Sequence, residues 1–211
     1  MVFIRKQLVV WMIVLLASVF LFAVLTANVQ EQGGSAFDRN AQAFAATWKS
    51  EGMTALFRLI SHLGSTAAIA CITLVSALLA GWRFGWLRGA SIVAGVAAAY
   101  GLNTWLKISF DRARPDAAWG IEADGASFPS GSAMLAMAMF GLIALTVLQA
   151  SRIGRGAKAA TAVVSVVLIA LVGLSRIYFH VHYLSDILAG YAAGIGVISL
   201  AMLAVHAAHN K

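Results

Sequence analysis

The composition of this 211-residue chain excludes an ordinary soluble domain, because 61% of its residues are hydrophobic and only 11% are charged. A soluble domain of this length would carry roughly 25% charged residues. The net charge of +7 comes without a basic stripe interleaved with aromatic residues, so nucleic acid is not an expected partner. The single cysteine, Cys71, can form no disulfide within the chain. These properties predict a single polytopic membrane domain over residues 1–211.

Apolar runs of about 20 residues or more, each long enough to cross a bilayer, predict an all-α protein with six transmembrane helices. The first run, from Leu8 to about Ala27, follows Arg5 and Lys6. It is long for a signal peptide, and we expect it to be a retained helix. The second predicted span lies somewhere within Met53–Trp82, which is longer than one crossing needs. The other four are Gly89–Phe110, Gly131–Ala150, Ala159–Tyr178 and Ser185–Ala207.

A polar segment, residues 28–52, separates the first two predicted spans. Within it Phe37, Ala41, Phe44 and Trp48 recur at helical spacing. This pattern predicts either a short amphipathic helix on the membrane surface or an ordered loop.

The charged residues between the spans predict the orientation in the membrane. Six spans place both termini on one side, and that side carries the basic residues Arg5, Lys6, Arg83, Arg88, Arg152, Arg155, Lys158 and Lys211. The opposite side carries all eight acids: Glu31, Asp38, Glu51, Asp111, Asp116, Glu122, Asp124 and Asp186. The excess of Lys and Arg makes the termini cytoplasmic. The polar stretches 107–130 and 176–185 then both face outward and can share one pocket.

The stretch Ser175–Asp186, SRIYFHVHYLSD, lies where the fifth and sixth predicted spans meet. Ionisable residues at such a position are functional candidates. His182 and Asp186 are four residues apart, so on a helix they would share one face. An aspartate that accepts the Nδ1 proton of a histidine leaves Nε2 with a free lone pair, which suits a nucleophile or a general base.

Two further polar clusters lie on the same predicted side and are rich in groups that bind anions. The end of the third span supplies Lys107, Arg112 and Arg114, and the fifth span supplies Arg176. The sequence FPSGS, residues 128–132, opens the fourth helix, whose N-terminal amides favour an anion. No H-E-x-x-H, thiolate group or carboxylate cluster is present, so we expect neither a metal nor a cofactor. An anion cage with a histidine nucleophile predicts phosphoryl transfer.

The three segments K-x6-R-P, P-S-G and S-R-x5-H-x3-D occur in this order between Lys107 and Asp186. Together they resemble the signature of the membrane type 2 phosphatidic acid phosphatases, lipid phosphatases that share their site with the vanadium haloperoxidases. The resemblance implies a metal-independent phosphatase in the cell membrane, with its active site at the outer face. Its partners would be a lipid phosphate substrate and the membrane lipids. The sequence gives no indication of the oligomeric state.

The resemblance also implies a role for each matching residue. His182 would attack phosphorus and form a phosphohistidine, and Asp186 would hold and polarise His182. The phosphate oxygens would be bound by Lys107, Arg114, Ser130, the amide of Gly131 and Arg176. Arg112 lies between motif positions, so it would either lie next to the phosphate or bind the head group, or else be a solvated loop charge.

One position departs from the family pattern. The family has a histidine after P-S-G, held to be the general acid that protonates the leaving group, and this chain has Ser132. General acid catalysis typically contributes about 10² to 10⁴-fold. Four explanations are open: a variant that traps substrate, a leaving group that needs little protonation, replacement of the acid by His180, or a protein that binds without turnover.

The motifs leave the lipid itself open. Phosphatidylglycerol phosphate, phosphatidate, undecaprenyl pyrophosphate and a lipid A phosphate all satisfy them. An anion transporter is the rival of a different class. The sequence disfavours it, because the ionisable residues cluster at one face and do not run through mid-membrane.

Overall fold

A computed structural model of the protein describes residues 2–27, 29, 34–116 and 118–208. These residues form eight α-helices and no strand, which confirms the predicted all-α class. In chain order the helices are α1 (Val2–Thr26), α2 (Ala36–Ala46), α3 (Glu51–Leu63), α4 (Thr66–Phe84), α5 (Trp86–Phe110), α6 (Gly131–Leu148), α7 (Arg155–Tyr178) and α8 (Leu184–Ala208).

Five helices in the described ranges are long and apolar enough to cross a membrane, namely α1, α4, α6, α7 and α8. Helix α5 has 25 residues, about 37 Å at the usual helical rise. It falls outside this set and carries Arg88, Asn103 and Lys107 in its sequence. The protein is therefore a multi-pass membrane protein by length and composition, and crossing by α5 stays a prediction.

The second crossing was predicted to lie within residues 53–82, a stretch longer than one crossing needs. The structure divides it into α3 and α4, with a break at Gly64 and Ser65. The Ser65 hydroxyl accepts a hydrogen bond from the amide of Ala68, so it caps the start of α4. Helix α3, with 13 residues, is too short to cross a bilayer, and α4 alone provides this crossing.

The polar segment after α1 contains the short amphipathic helix α2. Of the two predictions for this segment, the helix is therefore correct and the ordered loop is not. Ser35 and Asp38 form a capping box at its start, where each side chain accepts from the backbone amide of the other. Phe37 and Phe44 are exposed on one face of α2, whereas Asp38 and Ala45 are buried. The buried face packs against α7 and α8.

Helices α6 and α8 pack closely near their N-terminal ends, next to the polar end of the bundle. A Cβ atom at Gly190 would lie 2.7 Å from the carbonyl oxygen of Ser130, and one at Gly194 would lie 2.9 Å from that of Met134. Small residues allow helix backbones to approach this closely. The beginnings of α6 and α8 are consequently held side by side.

The opposite end of the bundle collects basic residues. Gln7 Oε1 and His206 Nε2 lie 2.7 Å apart, which joins the start of α1 to the end of α8. A cavity of about 440 Å³ at this end is lined by Phe84, Arg88 and Gln149, among others, together with His206. The helix ends predicted to be cytoplasmic therefore meet at one end of the molecule, and the candidate site lies at the other.

Candidate active site

The polar loop 111–130 folds back over the ends of α7 and α8. The amide of Trp119 donates to the carbonyl of Phe179 at 3.1 Å, and the amide of Ser130 donates to the carbonyl of Asp186 at 3.0 Å. These backbone bonds bring the three segments of the predicted signature into one polar cluster.

His182 and Asp186 lie close together, although not on one helical face as the spacing suggested. His182 lies in the turn before α8, and Asp186 lies in the first turn of that helix. Asp186 Oδ2 accepts a hydrogen bond of 2.9 Å from the amide of Tyr183. His182 Nδ1 is 3.6 Å from the same oxygen, so the direct contact is longer than a good hydrogen bond.

Ser127 bridges the two residues, and the sequence analysis missed it. Its hydroxyl donates to Asp186 Oδ2 at 2.5 Å and lies 3.3 Å from His182 Nδ1. A hydroxyl has one proton to donate. Since the carboxylate takes that proton, the contact with the imidazole requires Nδ1 to be the donor. The network therefore assigns the Nδ1–H tautomer to His182.

Arg114 approaches His182 from the opposite edge of the ring. Its Nη1 lies 3.3 Å from His182 Nε2 and also donates to the carbonyl of Val181 at 2.7 Å. Its other donors reach the carbonyls of Gly125 and Asp124. A guanidinium has only donors, so Nε2 faces it as a lone pair. Because these protein partners are carbonyls and an imidazole, not carboxylates, the positive charge of Arg114 remains available to an anion.

His182 is neutral at physiological pH for a physical reason visible in the structure. It is 5% exposed, and burial lowers the pKa of its imidazole to about 4. The Asp186 carboxylate partly opposes this shift of the pKa, while the charges of Arg114 and Lys107 add to it. A neutral imidazole with an unprotonated Nε2 is the form required of a nucleophile.

Arg112 occupies a different place from the one expected of a phosphate ligand. Its Nη1 donates to Asp186 Oδ1 at 2.5 Å and its Nη2 donates to Asp38 Oδ2 at 3.2 Å. The guanidinium also lies over the ring of Tyr183, 4.1 Å from the centroid. Arg112 is buried and bound to two carboxylates, so its contacts are those of a brace for Asp186. The sequence analysis also missed Asp38 as a member of the site.

Lys107 lies beside this cluster at the end of α5. Its ammonium donates to the carbonyl of Ala126. It is close enough to interact electrostatically with Arg114, Asp186 and His182. Lys107 therefore contributes positive charge to the same pocket as Arg114.

Buried donors without partners line the region around the start of α6. The hydroxyl of Ser130 is fully buried, makes no capping hydrogen bond and has no partner among the residues that the structure describes. Gly131 begins α6, so the orphan amides of that helix lie next to it. Buried donors of this kind are costly unless a ligand accepts from them.

Arg176 and Ser132 are neighbours on the same side. Arg176 Nη2 donates to the carbonyl of Ser61 at 2.7 Å, whereas its buried Nε has no partner within the described chain. A Cβ atom at Gly64 would lie 2.7 Å from Arg176 Nη2 and 3.4 Å from the Cβ of Ser132. The turn between α3 and α4 therefore forms a wall beside these two residues.

Residues 88–210, more than half of the chain, match the PAP2 superfamily. The chain belongs to this superfamily. The resemblance to type 2 phosphatidic acid phosphatases, predicted from three short motifs, is therefore confirmed. All of the predicted site residues fall inside the matched region, whereas Asp38 and Gly64 lie before it.

Similar proteins include a curated bacterial enzyme and two solved structures. Over 184 residues the chain is 29% identical to phosphatidylglycerophosphatase B of Bacillus subtilis (strain 168), covering 84% of this chain and 88% of that protein. The fold of this chain is similar to that of a transmembrane PAP2 type phosphatidylglycerolphosphate phosphatase from Bacillus subtilis. The TM-score is 0.80 at 22% identity, and the match covers 93% of this chain and 95% of that one. LpxE of Aquifex aeolicus gives a TM-score of 0.62, 21% identity and coverage of 79% and 96%.

His180, considered above as a substitute for the PAP2 general acid, contacts other residues. Its backbone adopts a positive φ of 52°, and its side chain interacts with Gln42 and Lys49 in and after α2. Burial lowers the pKa of this imidazole. No hydrogen bond described here joins His180 to Ser132 or Arg176, so the structure gives no support to that substitution.

Within the described ranges no group of three or more His, Cys, Asp or Glu residues is arranged to hold a metal ion. The donors of the site are instead cations and neutral hydrogen-bond donors, which suit an anion. A metal-independent reaction, expected from the resemblance, stays a prediction.

Proposed function

We propose that this PAP2 protein is a membrane lipid phosphatase that removes phosphate from a lipid phosphate or pyrophosphate through a phosphohistidine at His182. The observation that carries the proposal is the buried, neutral imidazole of His182. Its Nε2 lone pair faces the Arg114 guanidinium, and its Nδ1–H is held by Ser127 beside Asp186. The relative named phosphatidylglycerophosphatase B supports a phosphatase of this kind.

The substrate phosphate binds where positive charge and unpartnered donors converge. Arg114, Lys107 and Arg176 neutralise its charge. The Ser130 hydroxyl, which lacks a partner in the described chain, and the amide of Gly131 donate to its oxygens. Most of the catalytic effect of such a site is positioning and charge stabilisation.

The reaction then follows from the proton arrangement around His182. The Nε2 lone pair attacks phosphorus, the bond from phosphorus to the leaving oxygen breaks, and a phosphoimidazole forms. The positive charge that develops on the ring is stabilised by Asp186, directly and through Ser127. Water next cleaves the phosphorus–nitrogen bond, which releases phosphate and restores the neutral imidazole.

Because Ser132 stands where the family has a general acid, the reaction rate should depend strongly on the chemical nature of the leaving group. A serine hydroxyl is far too weak an acid to protonate an alkoxide at neutral pH, whereas a phosphate monoester leaves as a stable anion. The chain is therefore expected to cleave a lipid pyrophosphate faster than an alkyl phosphate. Arg176 lies next to Ser132 and supplies positive charge at this corner of the site.

The proposal includes six crossings, with α5 as the third. Both termini are then cytoplasmic and the site is extracytoplasmic. The convergence of the basic helix ends at one end of the bundle supports this orientation. The sixth crossing would be tested by accessibility labelling of single cysteines placed at the two ends of α5.

The lipid tails remain in the bilayer in this proposal. An apolar groove of about 190 Å³ lies between α1, α5 and α8, with Phe22 and Leu106 among its lining residues. Phe22 packs against Phe128, which lies two residues before Ser130 in the chain. A tail in this groove would keep the head group near the site.

The test is phosphate release by the purified protein in detergent. The panel contains phosphatidylglycerol phosphate, phosphatidate, undecaprenyl pyrophosphate and a lipid A phosphate, each assayed with residue 132 as serine and as histidine. We expect release from the pyrophosphate with serine, and release from the monoesters to rise by about 10² to 10⁴-fold in Ser132→His. No release by either protein would contradict the proposal.

Ser132 also favours one second candidate, a protein that binds lipid phosphates without turnover. It predicts saturable binding of the same lipids with no phosphate release and no phosphohistidine, even in Ser132→His. The assay panel distinguishes the two functions, because only the enzyme forms a covalent intermediate.

A further inference from the structure

We infer that Asp38, on the surface helix α2, is a positioning residue for the reaction, which it supports by holding Asp186 through Arg112. This inference rests on the proposed function. Asp38 lies outside the region that matches the PAP2 superfamily. It is separated from Asp186 by most of the chain, yet its carboxylate is 1% exposed and lies within the polar cluster.

The contacts of Asp38 are directed at two residues of the site. Its Oδ1 accepts from the amide of Ser185 at 2.8 Å. Its Oδ2 accepts from the Ser185 hydroxyl at 2.9 Å and from Nη2 of Arg112 at 3.2 Å. A buried carboxylate that accepts from this many donors holds each donor in place.

Arg112 transmits this constraint to Asp186. While Nη2 is held by Asp38, Nη1 donates to Asp186 Oδ1 at 2.5 Å and to the Ser185 hydroxyl at 2.9 Å. The rigid fork of a guanidinium can bridge two carboxylates in one geometry. Asp38, Ser185 and Arg112 therefore form a closed ring of hydrogen bonds beside Asp186.

The ring also fixes the start of α8. Ser185 and Asp186 lie in the first turn of that helix, where backbone amides have no partner within the helix. Asp38 satisfies the amide of Ser185 from another segment of the chain, and negative charge is favourable at this helix end. The direction of the Asp186 carboxylate toward Ser127 and His182 depends on this turn.

A purely structural role for Asp38 would be to anchor α2, since it also accepts from Ser35 in the capping box. The two roles use different donors and can be separated. Ser35→Ala removes the Ser35 hydroxyl from the start of α2 and leaves the donors on Arg112 and Ser185 in place. Asp38→Asn removes the charge that pairs with Arg112 and presents an amide NH₂ group to donors.

The experiment compares the parent with Asp38→Asn, Asp38→Glu and the matched control Ser35→Ala. Two quantities are measured: steady-state phosphate release from undecaprenyl pyrophosphate, and phosphohistidine formation from the same lipid radiolabelled in its terminal phosphate. Losses of supporting contacts of this type are typically about 10 to 100-fold. We expect Asp38→Asn to lower kcat by this factor with KM changed less than about threefold. Asp38→Glu should recover part of kcat, and Ser35→Ala should retain it.

Three outcomes would overturn the inference while the parent remains active. The first is a kcat in Asp38→Asn equal to that of the parent. The second is a loss of kcat in Ser35→Ala as large as that in Asp38→Asn, and the third is a change in Asp38→Asn that affects only KM. A parent that forms neither phosphate nor phosphohistidine would overturn the proposed function, and the inference with it.

Arg112→Lys covers the case in which Asp38→Asn is not recovered as a folded protein. A single ammonium cannot bridge two carboxylates as the guanidinium does, so we expect a comparable fall in kcat. A parental kcat in Arg112→Lys would overturn the inference. Where both variants fold, their combined effect should be smaller than the product of the two single effects, because they break the same link.

Discussion

The two sides of the phosphate pocket are built differently. On the nucleophile side His182, Ser127 and Asp186 are joined by hydrogen bonds, and Arg112 and Asp38 continue the network to α2. On the leaving-group side Ser130 Oγ and Arg176 Nε are buried without a partner in the described chain, and Ser132 replaces the expected acid.

The difference shows which part of the site exists before substrate arrives. The nucleophile side is already joined by hydrogen bonds in the free protein. In the proposed reaction His182 needs only the contact between Nε2 and Arg114 Nη1 to give way to the substrate phosphorus. In the proposed reaction the substrate completes the leaving-group side, because its oxygens would accept from the unpartnered donors. Substitutions on the first side should therefore change the chemical step, and those on the second should change both affinity and rate.

The strongest test of the nucleophile side is His182→Gln. We expect phosphate release to fall by about 10⁴-fold or more, because the covalent route is lost. Labelled phosphohistidine should disappear completely. Covalent labelling that persists in this variant would show that the nucleophile lies elsewhere.

On the leaving-group side, Arg176→Gln removes a buried positive charge from the proposed phosphate site. We expect kcat/KM to fall by about 10² to 10³-fold, the range for loss of one preorganised donor. The control is Arg83→Gln at the basic end of the bundle, which should retain parental kcat/KM. If Arg176→Gln is as active as this control, the donors around Ser132 do not bind the reacting phosphate.

Ser127→Ala tests whether the bridge between His182 and Asp186 contributes to the rate. Hydrogen bonds to charged groups contribute about 1.5 to 3 kcal/mol, so kcat should fall roughly 10-fold or more with little change in KM. Steady-state kinetics on the pyrophosphate measures both constants. An unchanged kcat would mean that the direct contact of 3.6 Å between Nδ1 and Oδ2 is sufficient.

The last prediction concerns stability and pH and not the rate. The pKa of His182 is lowered to about 4 in the fold, below its usual value of 6.5. The unfolded chain therefore binds a proton that the folded protein excludes. Stability should fall as the pH is lowered from 6.5 toward 4, by up to about 1.4 kcal/mol per pH unit from this group.

Thermal melting in detergent across this pH range measures the effect. The His182→Gln variant should show a shallower loss of Tm on acidification, and the two proteins should have parallel profiles above pH 6.5. Parallel profiles below pH 6.5 as well would mean that the folded protein accepts the proton at His182.

Much of the fold could be predicted from the sequence. In its second half the apolar runs begin and end next to residues that typically start or stop helices. The fourth predicted span begins at Gly131, as α6 does, directly after the P-S-G segment. The stretch 53–82 was predicted to exceed one crossing, but the position of the break was not predicted, because Gly64 and Ser65 lie in a run that is apolar on both sides. A single capping serine is a weak signal against that background.

The same contrast applies to the candidate site. The motif positions Lys107, Arg114, Arg176, His182 and Asp186 gather at one end of the bundle because each lies at or near the end of a helix that the hydropathy pattern defines. Residues of the supporting network carry no such signal.

Ser127 is an ordinary loop serine in the sequence, and Asp38 lies far from every motif. The spacing R-A-R likewise cannot show which guanidinium faces the anion. Only the structure separates Arg114, which faces His182, from Arg112, which binds carboxylates.

Two glycines of α8 allow that helix to lie close to the start of α6. Neither Gly190 nor Gly194 reaches the substrate, yet a methyl group at either would push one helix outward against a backbone carbonyl. A displacement of about 1 Å can reduce catalysis about 100-fold. We therefore expect the reaction rate to depend on the distance between α6 and α8 at a point below the proposed phosphate pocket.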